Sequence, residues 1–251
     1  MTDFKLERSN LPTIAYTWEK GDKKQAIVYL HGWTSCRKSM KGEMLLLTAK
    51  MNNCHYLSID YTGHGESGGT LADFTIGRAL RDVLDVIKAT IGPMPVWIVG
   101  SSIGGWLGLL LAERLKSQAL GYIGLAPASD ITYDIWHHML PDYARNALEN
   151  GDILGPSSET QGFCFTPELF ADGEKHFVLN RSLELSIPVR VFWGDRDNMV
   201  HLKKIMALKD ALVINDAVFY ILKGSDHHLS EERDLNLIQK TILELMGGIT
   251  K

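Results

Sequence analysis

The densest group of chemistry-bearing positions is Gly100-Ser101-Ser102-Ile103-Gly104, a G-x-S-x-G pattern. It lies directly after the apolar run 96–99 and directly before a helical pattern. A strand-to-helix turn this tight leaves no room for side chains at Gly100 and Gly104. It holds Ser102 in a strained conformation and lifts its hydroxyl above the strand ends, near the positive end of the next helix. A serine hydroxyl is a poor nucleophile until a base takes its proton. Two downstream segments carry groups for that task. Gly194-Asp195-Arg196-Asp197-Asn198-Met199-Val200 supplies two carboxylates, and Gly224-Ser225-Asp226-His227-His228-Leu229 supplies two histidines. Each follows an apolar run, at the sheet edge where open α/β folds place their sites. A histidine there would shuttle the serine proton, and a carboxylate would orient the ring and stabilise the imidazolium. On spacing alone, Asp195 competes with Asp197 and His228 with His227. Asp130, after the run ending at Leu125, is a third candidate acid that helix capping would explain equally well.

The elements that must position these groups follow from hydrophobic patterning. Residues 26–30, 56–59, 96–99, 121–125, 189–193 and 218–222 read as strands. Most are too uniformly apolar for a sheet with one wet face, so strands covered on both faces are expected. Helical patterns occupy 38–51, 75–90, 103–117 and 231–246. In the second, Ala79, Val83, Val86 and Ile87 share one face, with Arg81, Asp82, Asp85 and Lys88 on the other. Alternation of strand and helix implies a parallel sheet with right-handed crossovers. Residues 4–8 and 13–18 read as an antiparallel hairpin at one edge. The stretch 129–185 breaks the rhythm. It shows no clear strand, is rich in aromatic residues, and contains an amphipathic helix near 133–149 interrupted at Pro141. It reads as a lid inserted after the sixth strand. Its aromatic residues form a small core of their own or line an apolar slot for an acyl chain, and Trp136 and Phe165 are the candidate substrate contacts. No linker divides the chain, so one domain spanning 1–251 is expected.

The 251 residues are 45% hydrophobic and 22% charged, with 30 acidic against 26 basic side chains and a formal charge of -4. That balance has no basic stripe for nucleic acid and no polybasic tract for an anionic membrane. The apolar runs fall short of a membrane span, so no stable membrane insertion is expected. The three cysteines, Cys36, Cys54 and Cys164, are too few for a disulfide framework and imply reduced thiols. The first residues carry neither an apolar signal core nor an Arg/Ser-rich transit pattern, and a soluble cytoplasmic protein is expected. His137-His138 without carboxylate or Cys partners is weak as a metal site and reads as lid surface. Cys36 has no evident activating base. Gly63-His64-Gly65 and Gly68-Gly69 lack the Lys-Ser/Thr of a phosphate loop. No signature for metal, nucleotide or flavin is present, so no cofactor is expected, and no feature sets an oligomeric state.

Over nearly its full length the chain resembles an α/β-hydrolase. The resemblance rests on His31-Gly32-Trp33 after the third strand, Asp60-Tyr61-Thr62-Gly63-His64-Gly65-Glu66-Ser67 after the fourth, the turn at Ser102, and then acid and base in that order. It implies the α/β-hydrolase fold, a mostly parallel sheet with helices on both faces and a small lid. In that family the acid stands fourth in a G-x-x-D-x-x-V stretch, which selects Asp197. The histidine closes G-x-x-H, which selects His227. The oxyanion donors implied are the backbone N–H groups of Trp33 and Ile103. His31 would be structural, and His64 and Asp60 would organise their own loop.

Such a triad attacks oxygen esters and thioesters alike, so the pocket and lid choose the substrate. The run Gly100 to Leu107, with Asp60-Tyr61-Thr62-Gly63 before it, is similar to compact hydrolases that remove palmitoyl groups from protein cysteines and cleave acyl glucuronides. The expected activity is serine hydrolysis of a small-molecule or acyl-protein ester or thioester. Two alternatives are a carbon–carbon bond hydrolase using the same three residues and a non-catalytic binding protein on the same fold.

Overall fold

The computed structural model describes residues 2–158 and 160–247. Strands β1 (Asp3–Arg8), β2 (Leu11–Glu19), β3 (Lys23–Leu30), β4 (Cys54–Ile59), β5 (Val96–Ser101) and β6 (Ala119–Leu125) precede β7 (Leu183–Glu184), β8 (Val189–Gly194), β9 (Leu212–Val213) and β10 (Ala217–Leu222). Eight of them form one sheet in the order β1-β2-β4-β3-β5-β6-β8-β10, and β7 pairs with β9 apart from it. From β4 to β10 every neighbouring pair in that sheet is parallel. The β1–β2 hairpin joins through an antiparallel β2–β4 pairing. Every residue of β5 is buried, as expected of a strand covered on both faces.

Helices α1 (Met40–Met51), α2 (Ile76–Thr90), α3 (Ile103–Leu115) and α8 (Glu232–Gly247) flank the sheet. Side-chain caps set two of their starts. Ser39 Oγ accepts the Gly42 N–H, so α1 begins at Met40 rather than at Lys38. Thr75 Oγ1 accepts the Arg78 N–H ahead of α2, a contact worth about 1 kcal/mol. The α2 face of Ala79, Leu80, Val83, Val86 and Ile87 is buried on the sheet.

Between β6 and β8 lies a cap built from α4 (Ile131–Asp134, continued by a wider π-type turn over Ile135–Met139), α5 (Asp142–Glu149) and α6 (Pro167–Glu174). The expected break at Pro141 separates α4 from α5. Two features depart from expectation. The cap contains the short strand β7 and a Leu154–Phe165 bridge, and a further helix, α7 (Leu202–Ala211), follows β8. Strand β10 is also not covered on both faces. It closes the sheet at an edge, where Val218 and Ile221 are exposed despite an unbroken apolar run.

The cap is tied to the body by directional bonds. Asp172 accepts the Gly77 N–H at 2.6 Å, and the indole of buried Trp106 donates to the His176 carbonyl at 3.0 Å. Among the described residues no helix is long and apolar enough to cross a membrane.

Candidate active site

Strand order reverses direction around β3, which has β4 on one side and β5 on the other. This switch point opens a crevice beyond the C-terminal strand ends. Ser102 follows β5 in that crevice with φ 55° and ψ -122°, a backbone conformation that side-chain-bearing residues rarely adopt. The turn has no space to relax. A Cβ at Gly100 would stand 2.2 Å from the Gly104 carbonyl oxygen, and one at Gly104 would stand 2.2 Å from the Leu30 carbonyl oxygen. The loop after β3 passes beside the serine, since a Cβ on Gly32 would lie 3.3 Å from Ser102 Cβ.

The acid segment leaves β8, two strand positions from β5, and the base segment leaves β10, three positions away. At about 4.8 Å per strand, a histidine on that segment must be carried back ~14 Å over the strand ends to reach Ser102. The loop after β10 does this. His227 Nε2 lies 2.9 Å from Ser102 Oγ, and its Nδ1 lies 2.8 Å from Asp197 Oδ2. Asp197 is buried, and its other oxygen accepts the N–H groups of Met199 and Val200, both at 2.8 Å. Those two bonds fix the carboxylate plane and leave Oδ2 for the imidazole. Asp195 does a different job. Its Oδ1 accepts the Gly224 N–H at 2.5 Å and so joins the acid and base loops.

Trp33 and Ile103 both line the cavity that contains Ser102. Among the described residues neither backbone N–H donates to a main-chain or side-chain acceptor, so both remain available to a substrate oxygen. His31 is fully buried, with Nδ1 on the Gly32 carbonyl at 2.7 Å, and burial pushes its pKa down to about 3. It is therefore neutral and braces the loop that presents Trp33. His64 packs at 5.5 Å from the His31 ring and bonds the Thr62 carbonyl, while buried Asp60 accepts the N–H groups of Arg37 and Glu66 and pairs with the Arg37 guanidinium.

Asp130 is distant in role from the imidazole. It accepts the N–H groups of Val178 and Leu179 and stitches the cap together, and burial raises its pKa. His228 is exposed, and its N–H donates to Asp226. His137 and His138 are exposed on the cap, and no group of three or more His, Cys, Asp or Glu converges among the described residues.

The cavity over Ser102 holds about 900 Å³. One wall comes from the cap and is mostly apolar, with Ile131, Ile135, Met139, Leu140, Phe163 and Phe165 beside the polar Thr160 and Gln161. Phe163 and Phe165 pack on the Trp33 ring at 4.7 and 5.9 Å. Another wall, from the loop after β3, the first turn of α1 and the loop after β10, is polar and includes Ser35, Ser39, Lys41, Asp226, His228 and Ser230. Phe165 thus belongs to the cavity with the serine. Trp136 does not. It packs against Phe170 at 4.9 Å with the rings tilted by 58°, and lines an outer cavity of about 1350 Å³ that shares Met139, Asn198 and Met199 with the first. The sequence reading passed over Lys41 and Phe163 as site residues. Phe163 carried the aromatic signal of its segment, whereas a single lysine in a helical pattern carries none.

Fold and rim geometry together agree with the resemblance drawn from the motifs. Residues 27–238 match the sequence profile described as "Alpha/beta hydrolase family", and the chain belongs to that family. It is 31% identical over 250 residues to the protein named "Palmitoyl-protein thioesterase ABHD10, mitochondrial" of Mus musculus, covering 98% of this chain and 82% of the relative. The Homo sapiens protein of the same name is 27% identical over 247 residues, covering 98% and 80%. Among solved structures, "Alpha/beta hydrolase domain-containing protein 10 from mouse" superposes over 100% of both chains with a TM-score of 0.88 and 28% identity. A putative hydrolase from Agrobacterium vitis S4 superposes over 97% of each with the same TM-score of 0.88, at 27% identity.

Proposed function

We propose that the protein hydrolyses carboxylic esters and thioesters through an acyl-enzyme, with Ser102 as nucleophile, His227 as general base and Asp197 as the orienting carboxylate. One observation carries this reading: an unbroken hydrogen-bonded chain from Asp197 through His227 to Ser102, at 2.8 and 2.9 Å, on the rim where parallel strands end. As Ser102 Oγ attacks the acyl carbon, His227 Nε2 takes its proton. The Nδ1–H bond to Asp197 holds the ring in the tautomer that allows this. Negative charge on the substrate oxygen is met by the N–H groups of Trp33 and Ile103. Collapse of the tetrahedral intermediate expels an alcohol or thiol, which leaves with the proton from Nε2. Water then attacks the acyl-serine and gives a proton to His227 Nε2, which passes it to Ser102 Oγ as the acyl–oxygen bond breaks and the acid product departs.

The favoured substrate is an acylated protein thiol or a comparable thioester with a medium or long acyl group. The apolar cap wall supports it, with Phe165 and Phe163 against the chain, and so does the printed name of the mouse and human relatives. Trp136, on the outer cavity, is left out of the acyl contact. We take residues 1–251 to act as one α/β-hydrolase domain with 129–185 as its lid. A cytoplasmic or other reducing compartment suits its three free cysteines, while the relatives' names assign those proteins to mitochondria.

A fluorophosphonate probe tests the nucleophile directly. Wild type is expected to label and Ser102→Ala to remain unlabelled, and labelling that survives the substitution overturns the assignment.

A further inference from the structure

The loop that carries the base is held under strain. Leu229, two residues after His227, has φ 47° in the left-handed region that favours glycine, while its side chain is fully buried in the core cluster that includes Ile238 and Ile242. Such a conformation persists only where the surroundings hold it. Asp226 Oδ1 accepts the N–H groups of His228 and Leu229 from within the loop. From outside the loop, Lys41 Nζ donates to the His228 carbonyl oxygen.

Lys41 is poorly placed for any purely local reason. Its side chain stems from the first turn of α1, where the helix dipole disfavours a cation. It is also the one lysine among the buried charged residues described, at 9% exposure. Desolvation brings its pKa down to about 8, against the pull of the Asp226 carboxylate. The titratable and charged groups that share its cavity are Tyr29 from β3, Arg196 from the acid loop, and Asp226, His227 and His228 from the base loop. At neutral pH the ammonium form still predominates, so its bond to the carbonyl is charge-assisted and stronger than a neutral one.

We propose that Lys41 is a positioning residue for His227: by pinning the His228 carbonyl to α1, it keeps the imidazole within reach of Ser102. The inference rests on the roles given to Ser102 and His227 above. Lys41 touches the loop rather than the reacting atoms, and because it also lines the cavity, the split between kcat and KM tells positioning from substrate contact.

The test uses the full chain carrying Lys41→Met or Lys41→Arg, assayed on a p-nitrophenyl ester and by thermal melting. Methionine has similar bulk without the charge, so the variant is expected to fold with a melting temperature close to that of wild type. Its kcat falls about 10- to 100-fold while KM stays within about twofold. Arginine restores part of the lost kcat. Because guanidinium stays protonated, the Arg variant keeps its activity above pH of about 8, where wild type declines as Lys41 loses its proton. Unchanged kcat in Lys41→Met overturns the inference. A loss that appears mainly as raised KM also overturns it, since that marks a substrate contact. If Lys41→Met fails to fold, the Arg variant decides: an extended basic limb supports the role and an unchanged limb refutes it. Ser102→Ala is measured alongside. Activity surviving in that variant defeats the reading of the whole site, whereas an inactive Ser102→Ala beside a fully active Lys41→Met defeats only the part assigned to Lys41.

Discussion

The rim that carries Ser102, Asp197 and His227 and the cap that covers it are built by different physics. On the rim, short loops leave buried parallel strands and are fixed by directional bonds: Met199 and Val200 N–H to Asp197, and Gly224 N–H to Asp195. In the cap, directional bonds to Asp130 and Asp172 anchor the segment, while its interior, with helices of eight residues or fewer, is filled by aromatic packing such as Trp136 on Phe170 and Phe163 on Trp33. Hydrogen bonds on the rim fix donor–acceptor separations narrowly around 2.8 Å, as between His227 and Asp197, the reach that proton transfer demands. Packing in the cap sets volume and apolarity, which suits selection of an acyl group by length rather than by a single polar contact.

Substitutions should expose this contrast in graded order. The largest effects belong to the rim. Ser102→Ala, His227→Ala and Asp197→Asn are each expected to lower kcat on a p-nitrophenyl ester by about 10⁴-fold or more, with stability little changed, as followed by steady-state kinetics and melting. Loss of less than tenfold for His227→Ala would transfer the base role to its neighbour His228. Next comes the cap wall. Phe165→Ala is expected to reduce kcat/KM for long-chain thioesters about 10-fold and for acetyl substrates by less than about threefold, read from a chain-length series. An equal loss at all lengths would remove Phe165 from the acyl slot. Cap anchoring is smaller still. Asp172→Ala strands the Gly77 N–H and is expected to cost about 1 to 2 kcal/mol in urea unfolding, with kcat/KM shifted most for the longest acyl groups.

The last effect is spread along pH rather than placed at one substitution. His31 is neutral in the fold with its pKa near 3, against 6.5 for the free side chain. The unfolded chain therefore binds the extra proton between those two values, and stability is full above about pH 6.5 and declines as pH falls toward 3. Asp172 behaves as a carboxylate held down to about 2 by bonds from His176, the Gly77 N–H and Thr75, which outweigh burial. Its share is present above its ordinary value of 3.8 and is lost as pH falls through about 2. Urea midpoints across pH 3 to 7 should show the histidine slope in wild type and a flatter one in His31→Gln.

The same contrast governs how much was legible in the sequence. Ser102 announced itself because only glycine fits at positions 100 and 104, a demand visible at fixed spacing. Choosing Asp197 over Asp195 took the resemblance, since two carboxylates in one turn look alike until the backbone donors on each are known. α6 left a readable trace in Thr166-Pro167, where the Thr166 hydroxyl caps the Leu169 N–H and proline takes the first helical position. α7 left little: Ile205, Leu208 and Ala211 are its only buried residues, among Lys203, Lys204 and Lys209. The edge position of β10 was hidden because Val218 and Ile221 extend an apolar run into solvent. Trp136 and Phe165 could not be told apart, because which cavity an aromatic ring faces depends on how the cap helices pack.

The Asp195 bridge to the Gly224 N–H ties the carboxylate and imidazole bearers into a single part through a contact that does not involve the hydroxyl. Under the proposed mechanism, changing the attacking atom at position 102, for instance from oxygen to sulfur, would leave that part intact. Retooling this scaffold for another attacking group is accordingly a problem of one side chain and its strained turn, with the proton-handling half inherited whole.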